Sequence, residues 1–122
     1  MTSPTPTLER WFEIMDSTDP ERVLDMITDD FAMSVQFSRG GGKSTEFVGA
    51  RAGLIAYLEQ REKSTLVHHI MAGATVDDTE LVLGKTTRDG VFEASFNATA
   101  QLTDNGLVRR LLICRTPEID FA

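Results

Sequence analysis

Two segments about fifty residues apart hold the groups best suited to proton chemistry, Met15-Asp16-Ser17-Thr18-Asp19-Pro20 and Val67-His68-His69-Ile70-Met71. An imidazole exchanges protons near neutrality, and a carboxylate bonded to it fixes which ring nitrogen carries the proton. With Asp16 and His69 as that pair beside a small apolar cavity, the accessible reactions are enolisation, elimination and aldol-type cyclisation. His68 has the opposite strand parity and is expected to face outward. A structural reading stands beside the catalytic one: a histidine that begins a strand is often a hydrogen-bonded core residue, and an aspartate ending a helix a polar stop. Adjacent histidines on opposite faces cannot chelate one metal and no other cluster supplies ligands, so neither a metal site nor a cofactor is expected.

The elements that must position this pair are legible on either side of it. Thr5 can cap a first helix whose opening turn tolerates Pro6, and Leu8, Trp11, Phe12 and Met15 recur at i, i+3, i+4 and i+7, one apolar face. Asp16 follows Phe12 by one helical turn and sits at the edge of that face. Asp19 and Pro20 then start a short second helix with Val23, Leu24, Met26 and Ile27 on its buried side. Residues 31–37 alternate as a strand would. Residues 38–45, with Gly40, Gly41 and Gly42, read as a loop or an open hairpin tip and lack the spacing of a phosphate-binding loop. From Val48 to about Arg61 a helical period returns in Ala50, Leu54, Tyr57 and Leu58.

The second half reads as an antiparallel meander with polar turns at Asp77-Asp78-Thr79, Arg88-Asp89-Gly90 and Thr103-Asp104-Asn105-Gly106. Phe92, Ala94, Phe96, Ala98, Ala100 and Leu102 share one strand face; the three alanines leave room either for a ligand or for a close helix. In the last strand, Leu107, Leu111 and Ile113 point one way and Val108, Leu112 and Cys114 the other, so both faces need cover. A second copy of the sheet is the simplest cover for the convex side, which predicts a homodimer; the alternative is that residues 117–122 fold over it. Arg109 and Arg115 share parity with Ile113 and could meet a ligand carboxylate or carbonyl at the cavity rim, or pair with surface acids. Trp11, Phe12, Met33, Tyr57, Met71, Phe92, Phe96 and Ile113 would line the pocket, which suits a small hydrophobic molecule.

Composition bounds the rest. The 122 residues fit one domain, with residues 1–5 a flexible lead and residues 117–122 a tail; 41% hydrophobic and 25% charged residues is an ordinary globular balance. The net charge of −7, from 19 acidic and 12 basic residues without a basic run, argues against nucleic acid or an anionic membrane as partner. The lone Cys114, the absence of signal-peptide features and the lack of a spanning apolar run point to a cytoplasmic protein.

Helices followed by a strongly curved, mainly antiparallel sheet form a cone-shaped α+β barrel. That order, with the aromatic first helix ending in Met15-Asp16-Ser17-Thr18-Asp19, the Ile27-Thr28-Asp29-Asp30-Phe31 lead into the first strand, Phe47-Val48-Gly49 before the third helix and Val67-His68-His69, resembles the nuclear transport factor 2-like superfamily and its SnoaL-like members along nearly the whole chain. The resemblance implies an apolar cavity and dimerisation through the sheet. It also implies a choice among isomerases, dehydratases, cyclases, epoxide hydrolases and noncatalytic proteins. The ketosteroid isomerase acids would fall at Val35 and Ala98, and Arg88-Asp89 has the wrong spacing for limonene epoxide hydrolase. Scytalone dehydratase is similar at Asp16 and His69, although its tyrosines have no match. A cofactor-independent isomerase, dehydratase or cyclase follows as the expectation, with a noncatalytic ligand-binding or dimerisation domain as the alternative.

Overall fold

The computed structural model describes residues 3–60 and 65–121. Residues 1, 2 and 122 of the expected lead and tail, and Arg61 of the expected third helix, lie outside them. An α-helix Pro6–Met15 (α1) is followed by a 3-10 helix Pro20–Met26, a long hairpin of Ile27–Gly40 (β1) and Lys43–Gly49 (β2), and a second α-helix Arg51–Gln60 (α2). Four strands complete the chain: Leu66–Val76 (β3), Thr79–Arg88 (β4), Val91–Leu102 (β5) and Val108–Thr116 (β6). The six strands form one curved sheet in the order β2-β1-β6-β5-β4-β3, antiparallel throughout except where β6 returns beside β1. This is the α+β cone expected from the sequence, and the glycine-rich residues 40–42 form the tip of the first hairpin.

The apolar stripe of α1 does what its spacing requires: Leu8, Trp11, Phe12, Ile14 and Met15 are all buried. Its N-terminus is held differently from the expectation. Thr5 makes no side-chain cap; instead the buried carboxylate of Glu80, from β4, accepts the backbone N–H groups of Thr7 at 3.0 Å and Leu8 at 2.7 Å. A negative charge there meets unpaired N–H groups and the positive end of the helix dipole together. Residues 3–5 are tied down rather than free, since Thr75 Oγ1 donates to the Pro4 carbonyl and Thr5 is wholly buried. Gly73 leaves the space that Thr5 occupies.

Shifts of register between paired strands set which side chains face the helices. One falls between Gln101 and Leu102 opposite Val108 and Arg110, and it returns Val108 to the core, fully buried, whereas simple alternation had placed it on the convex face. A second lies between Thr86 and Thr87, where Thr87 pairs with Phe92 and Glu93 is the extra residue. Further shifts fall in β1 between Ile27 and Ala32 and between Ser38 and Gly40, and in β3 at Met71. Ala98 and Ala100 lie in the hydrophobic core and Ala94 is equally buried, so the small residues of β5 serve close packing. On the convex face the tail covers part of the sheet, with Ser95 Oγ donating to the Ile119 carbonyl at 2.6 Å, while Leu81 and Leu112 stay exposed. Among the described residues no helix is long and apolar enough to cross a membrane.

Candidate active site

The cavity lies between the concave face of the sheet and both α-helices. Its wall is mostly apolar: Trp11, Phe12 and Met15 from α1, Met33, Val35 and Phe37 from β1, Leu54 and Tyr57 from α2, and Phe96, Leu111 and Ile113 from the last two strands. The cavity volume is about 40 Å³; counted together with its mouth, open to solvent, the concavity spans about 580 Å³. By water-sized measure that inner space holds a few waters or one small substituent. Four polar side chains interrupt the wall: Tyr57, His68, Thr86 and Arg115.

His68, not His69, is the histidine that reaches the cavity. Along β3 the inward residues are Leu66, His68 and Ile70, while Val67 and Met71 stand exposed on the outer side. His69 shares that outer side, where its Nε2 meets Thr87 Oγ1 at 2.8 Å. The expected parity fails because β3 carries apolar residues on both faces, so alternation alone does not say which one is covered.

Asp16 is where the sequence places it, one residue past the end of α1, its N–H donating to the Phe12 carbonyl at 2.9 Å. Its carboxylate holds His68 at two points. Oδ2 accepts the main-chain N–H at 2.7 Å and Oδ1 meets ring Nδ1 at 2.6 Å, with the two side chains only about 15% exposed. An ionised carboxylate can only accept, so the proton of the neutral ring sits on Nδ1 and Nε2 carries a lone pair. Nε2 makes no hydrogen bond among the described residues. The ring stacks on Phe12 at 4.7 Å and meets Phe96 edge-on at 5.4 Å, which fixes its plane. Phe96 can lie there because Gly84 beneath it has no Cβ; one would collide with Phe96 Cζ. Asp16 does not itself line the cavity but supports His68 from behind.

Arg115 forms the other polar end. Its guanidinium lies 5.4 Å over the Phe37 ring and its Nη2 donates to Glu93 Oε2 in a very short contact. Glu93 also accepts from Arg88 Nε at 2.8 Å. Burial tends to raise the Glu93 pKa, but the hydrogen bond from Arg88 and the charges of both arginines outweigh it, and the carboxyl titrates below its ordinary value. Among the described residues the buried Arg115 Nε has no acceptor, an omission that costs roughly 1–3 kcal/mol.

Of the remaining expected lining residues, Trp11, Phe12, Met33, Tyr57, Phe96 and Ile113 reach the cavity and three do not. Met71 is 40% exposed on the outer face of β3. Phe92 is carried out of the lining by the bulge that pairs it with Thr87. Arg109 sits at the β5–β6 bulge and turns to Asp30 at 3.5 Å. Glu93 was not anticipated, because plain alternation of β5 turns it away from Arg115 and nothing in the local sequence marks the bulge. Val35 and Ala98, where ketosteroid isomerase acids would fall, are both buried, and Val35 is part of the wall. Among the described residues no three His, Cys, Asp or Glu side chains gather as metal ligands do.

Solved structures share this architecture. A protein from Agrobacterium tumefaciens assigned as an isomerase of the SnoaL-like family superposes with a TM-score of 0.68 at 13% identity, covering 90% of this chain and 94% of its own. The chain has the SnoaL-like fold. A protein from Kribbella flavida assigned as a ketosteroid isomerase has a TM-score of 0.68 at 12% identity over 98% of this chain and 81% of its own. One from Sinorhizobium meliloti assigned as a polyketide cyclase has a TM-score of 0.62 at 16% identity over 88% and 93%. No protein-family model matches the sequence, and no curated protein matches it.

Proposed function

We propose that this SnoaL-like chain is a cofactor-independent acid–base enzyme of the isomerase, dehydratase or cyclase class, acting on a hydrophobic oxygenated molecule. The observation that carries the reading is the Asp16–His68 pair, 2.6 Å apart, with His68 Nε2 unbonded among the described residues and beside an apolar cavity. In this reading Nε2 takes a proton from a carbon acid or hydroxyl and returns it elsewhere on the same molecule. Asp16 sets the tautomer and balances the charge that appears on the ring. The solved structures of this fold assigned as an isomerase, a ketosteroid isomerase and a polyketide cyclase support the class of chemistry.

The test needs no knowledge of the natural substrate. Hydrophobic ketones such as 1-tetralone are incubated with the protein in deuterated water, and α-hydrogen exchange is followed by NMR. Acceleration by the wild type, lost by a factor of about 10²–10⁴ in His68→Ala and kept in His69→Ala, supports the assignment. Exchange that survives in a folded His68→Ala protein overturns it. The narrow inner space of about 40 Å³ favours a second reading, a binding domain of the same fold that holds a ligand without converting it. Ligand binding without any His68-dependent exchange would select that one.

We also propose that two copies pair through the convex face, where Leu81 and Leu112 are 40% and 47% exposed beside the tail residues Ile119 and Phe121. Sedimentation is expected to show a dimer that Leu112→Glu splits. A wild-type monomer would refute it.

A further inference from the structure

The cavity has two polar ends, and the chemistry of the second one has no part in the proton transfer at His68. Across the concave face, His68 lies in register with Thr86 and Ala94, while Arg115 pairs with Phe96 on the next inward row. β3 and β6 are three strand spacings apart, about 14 Å between backbones, with the Phe96 ring against the His68 end. Arg115 is held in place before any ligand arrives. Phe37 lies under its guanidinium, Glu93 takes Nη2, and Phe37, Phe47 and Tyr57 form an aromatic cluster beside it with ring centroids 4.9–6.4 Å apart. Among the described residues Nε is buried with no acceptor and Nη1 makes no hydrogen bond, so this positive group in an apolar wall is only partly answered by its carboxylate.

We propose that Arg115 is the specificity-determining anchor of the cavity and selects ligands that carry an anionic oxygen, a carboxylate or an enolate, at one end of an apolar ring system. The proposal rests on the reading of the cavity as a ligand site, but it does not require turnover. A planar guanidinium suits such an oxygen because it offers parallel N–H donors with fixed direction, and the aromatic cluster beside it suits a flat apolar body. Glu93 then has two parts: it orients Arg115, and it competes with the ligand for the same charge. This second part gives the proposal an unusual sign, because removing the carboxylate next to the anchor should strengthen binding.

The experiment is ¹⁹F NMR titration with 4-(trifluoromethyl)benzoate and with its neutral counterpart 4-(trifluoromethyl)benzyl alcohol. The wild type is expected to prefer the carboxylate by about tenfold or more, the scale of one charge-assisted hydrogen bond. Arg115→Met keeps an unbranched apolar stem but ends two atoms short of the guanidinium tips, leaves Glu93 with Arg88, and should erase the preference while the alcohol still binds. Glu93→Gln should tighten the carboxylate several-fold and leave the alcohol unchanged; it keeps the question answerable if Arg115→Met fails to fold. Equal binding of both probes by the wild type, or a preference that persists in Arg115→Met, overturns the anchor. His68→Ala separates the two readings. Loss of proton exchange with the carboxylate preference intact supports Arg115 and His68 as independent ends, whereas exchange that is independent of His68 sinks the proton-transfer reading and leaves the anchor standing.

Discussion

Replacing Asp16 by asparagine should reverse the tautomer of His68 without emptying the space between them. The carboxylate accepts from two donors, the main-chain N–H of His68 at 2.7 Å and ring Nδ1 at 2.6 Å. Asparagine has one acceptor and one donor. The main-chain N–H can only donate, so it claims the amide oxygen, and the amide NH₂ is left facing Nδ1. Nδ1 must then present its lone pair, and the ring proton moves to Nε2. The side chain that had a base aimed at the cavity now has a donor there, and proton abstraction should fall by roughly 10²–10⁴-fold while ligand binding is kept. Two charge-assisted hydrogen bonds become neutral ones, a loss of about 2 kcal/mol in total. For a chain of this size that lowers Tm by roughly 6–10 °C. The assay is ¹⁵N NMR of the imidazole at about pH 9, where an ordinary histidine is uncharged. The wild type should show the protonated nitrogen as Nδ1, and Asp16→Asn as Nε2. The same tautomer in both proteins would refute the reasoning, whatever happened to activity.

Other expectations follow from the same geometry. Glu80→Ala removes both acceptors at the N-terminus of α1 and leaves the Thr7 and Leu8 N–H groups unpaired, so urea denaturation should show a loss of about 2–4 kcal/mol; a loss under 1 kcal/mol would mean that water replaces the carboxylate. Gly84→Ala drives a methyl against the edge of the Phe96 ring and should cost about 1–3 kcal/mol while shifting the His68 ring resonances, and unchanged resonances would show that Phe96 does not set that ring. For Glu93 the folded pKa lies below the ordinary 4.5, so its pairing stabilises the protein fully above that value and is lost as pH falls through the lowered one. Glu93→Gln should therefore be less stable than wild type at pH 7, with the gap closing in strong acid, and a gap of the same size at about pH 2 would contradict the linkage.

The helical half of the fold could be read because its physics is local. The i, i+3, i+4, i+7 stripe from Leu8 to Met15 has one solution, and that solution puts Asp16 at the C-terminal end of a buried face. The sheet half could be read for its order but not for its inner face. Strand parity inverts with a shift of one residue, and bulges supply such shifts without a local signature. Val108 is fully buried, Arg109 turns to Asp30 and Phe92 leaves the cavity, each beside an extra residue. Glu93 became visible only with the register, because its partners Arg115 and Arg88 come from two different strands.

The two histidines show where the missing information resides. Leu66, His68 and Ile70 alternate as well as Val67, His69 and Met71, so the segment alone has no preferred face. What separates them is Asp16. Its carboxylate binds the main-chain N–H of His68 as well as the ring, and a main-chain donor on β3 is available to α1 only at the residue whose side chain also turns toward α1. One aspartate therefore docks the helix on the strand, chooses the strand face and sets the imidazole tautomer in a single contact. This is why the catalytic reading and the structural reading of the pair, which look like alternatives in the sequence, are not exclusive. The bond that would orient a proton carrier is the same bond that closes this side of the cone, and only the behaviour of Nε2 distinguishes a site that works from one that merely holds.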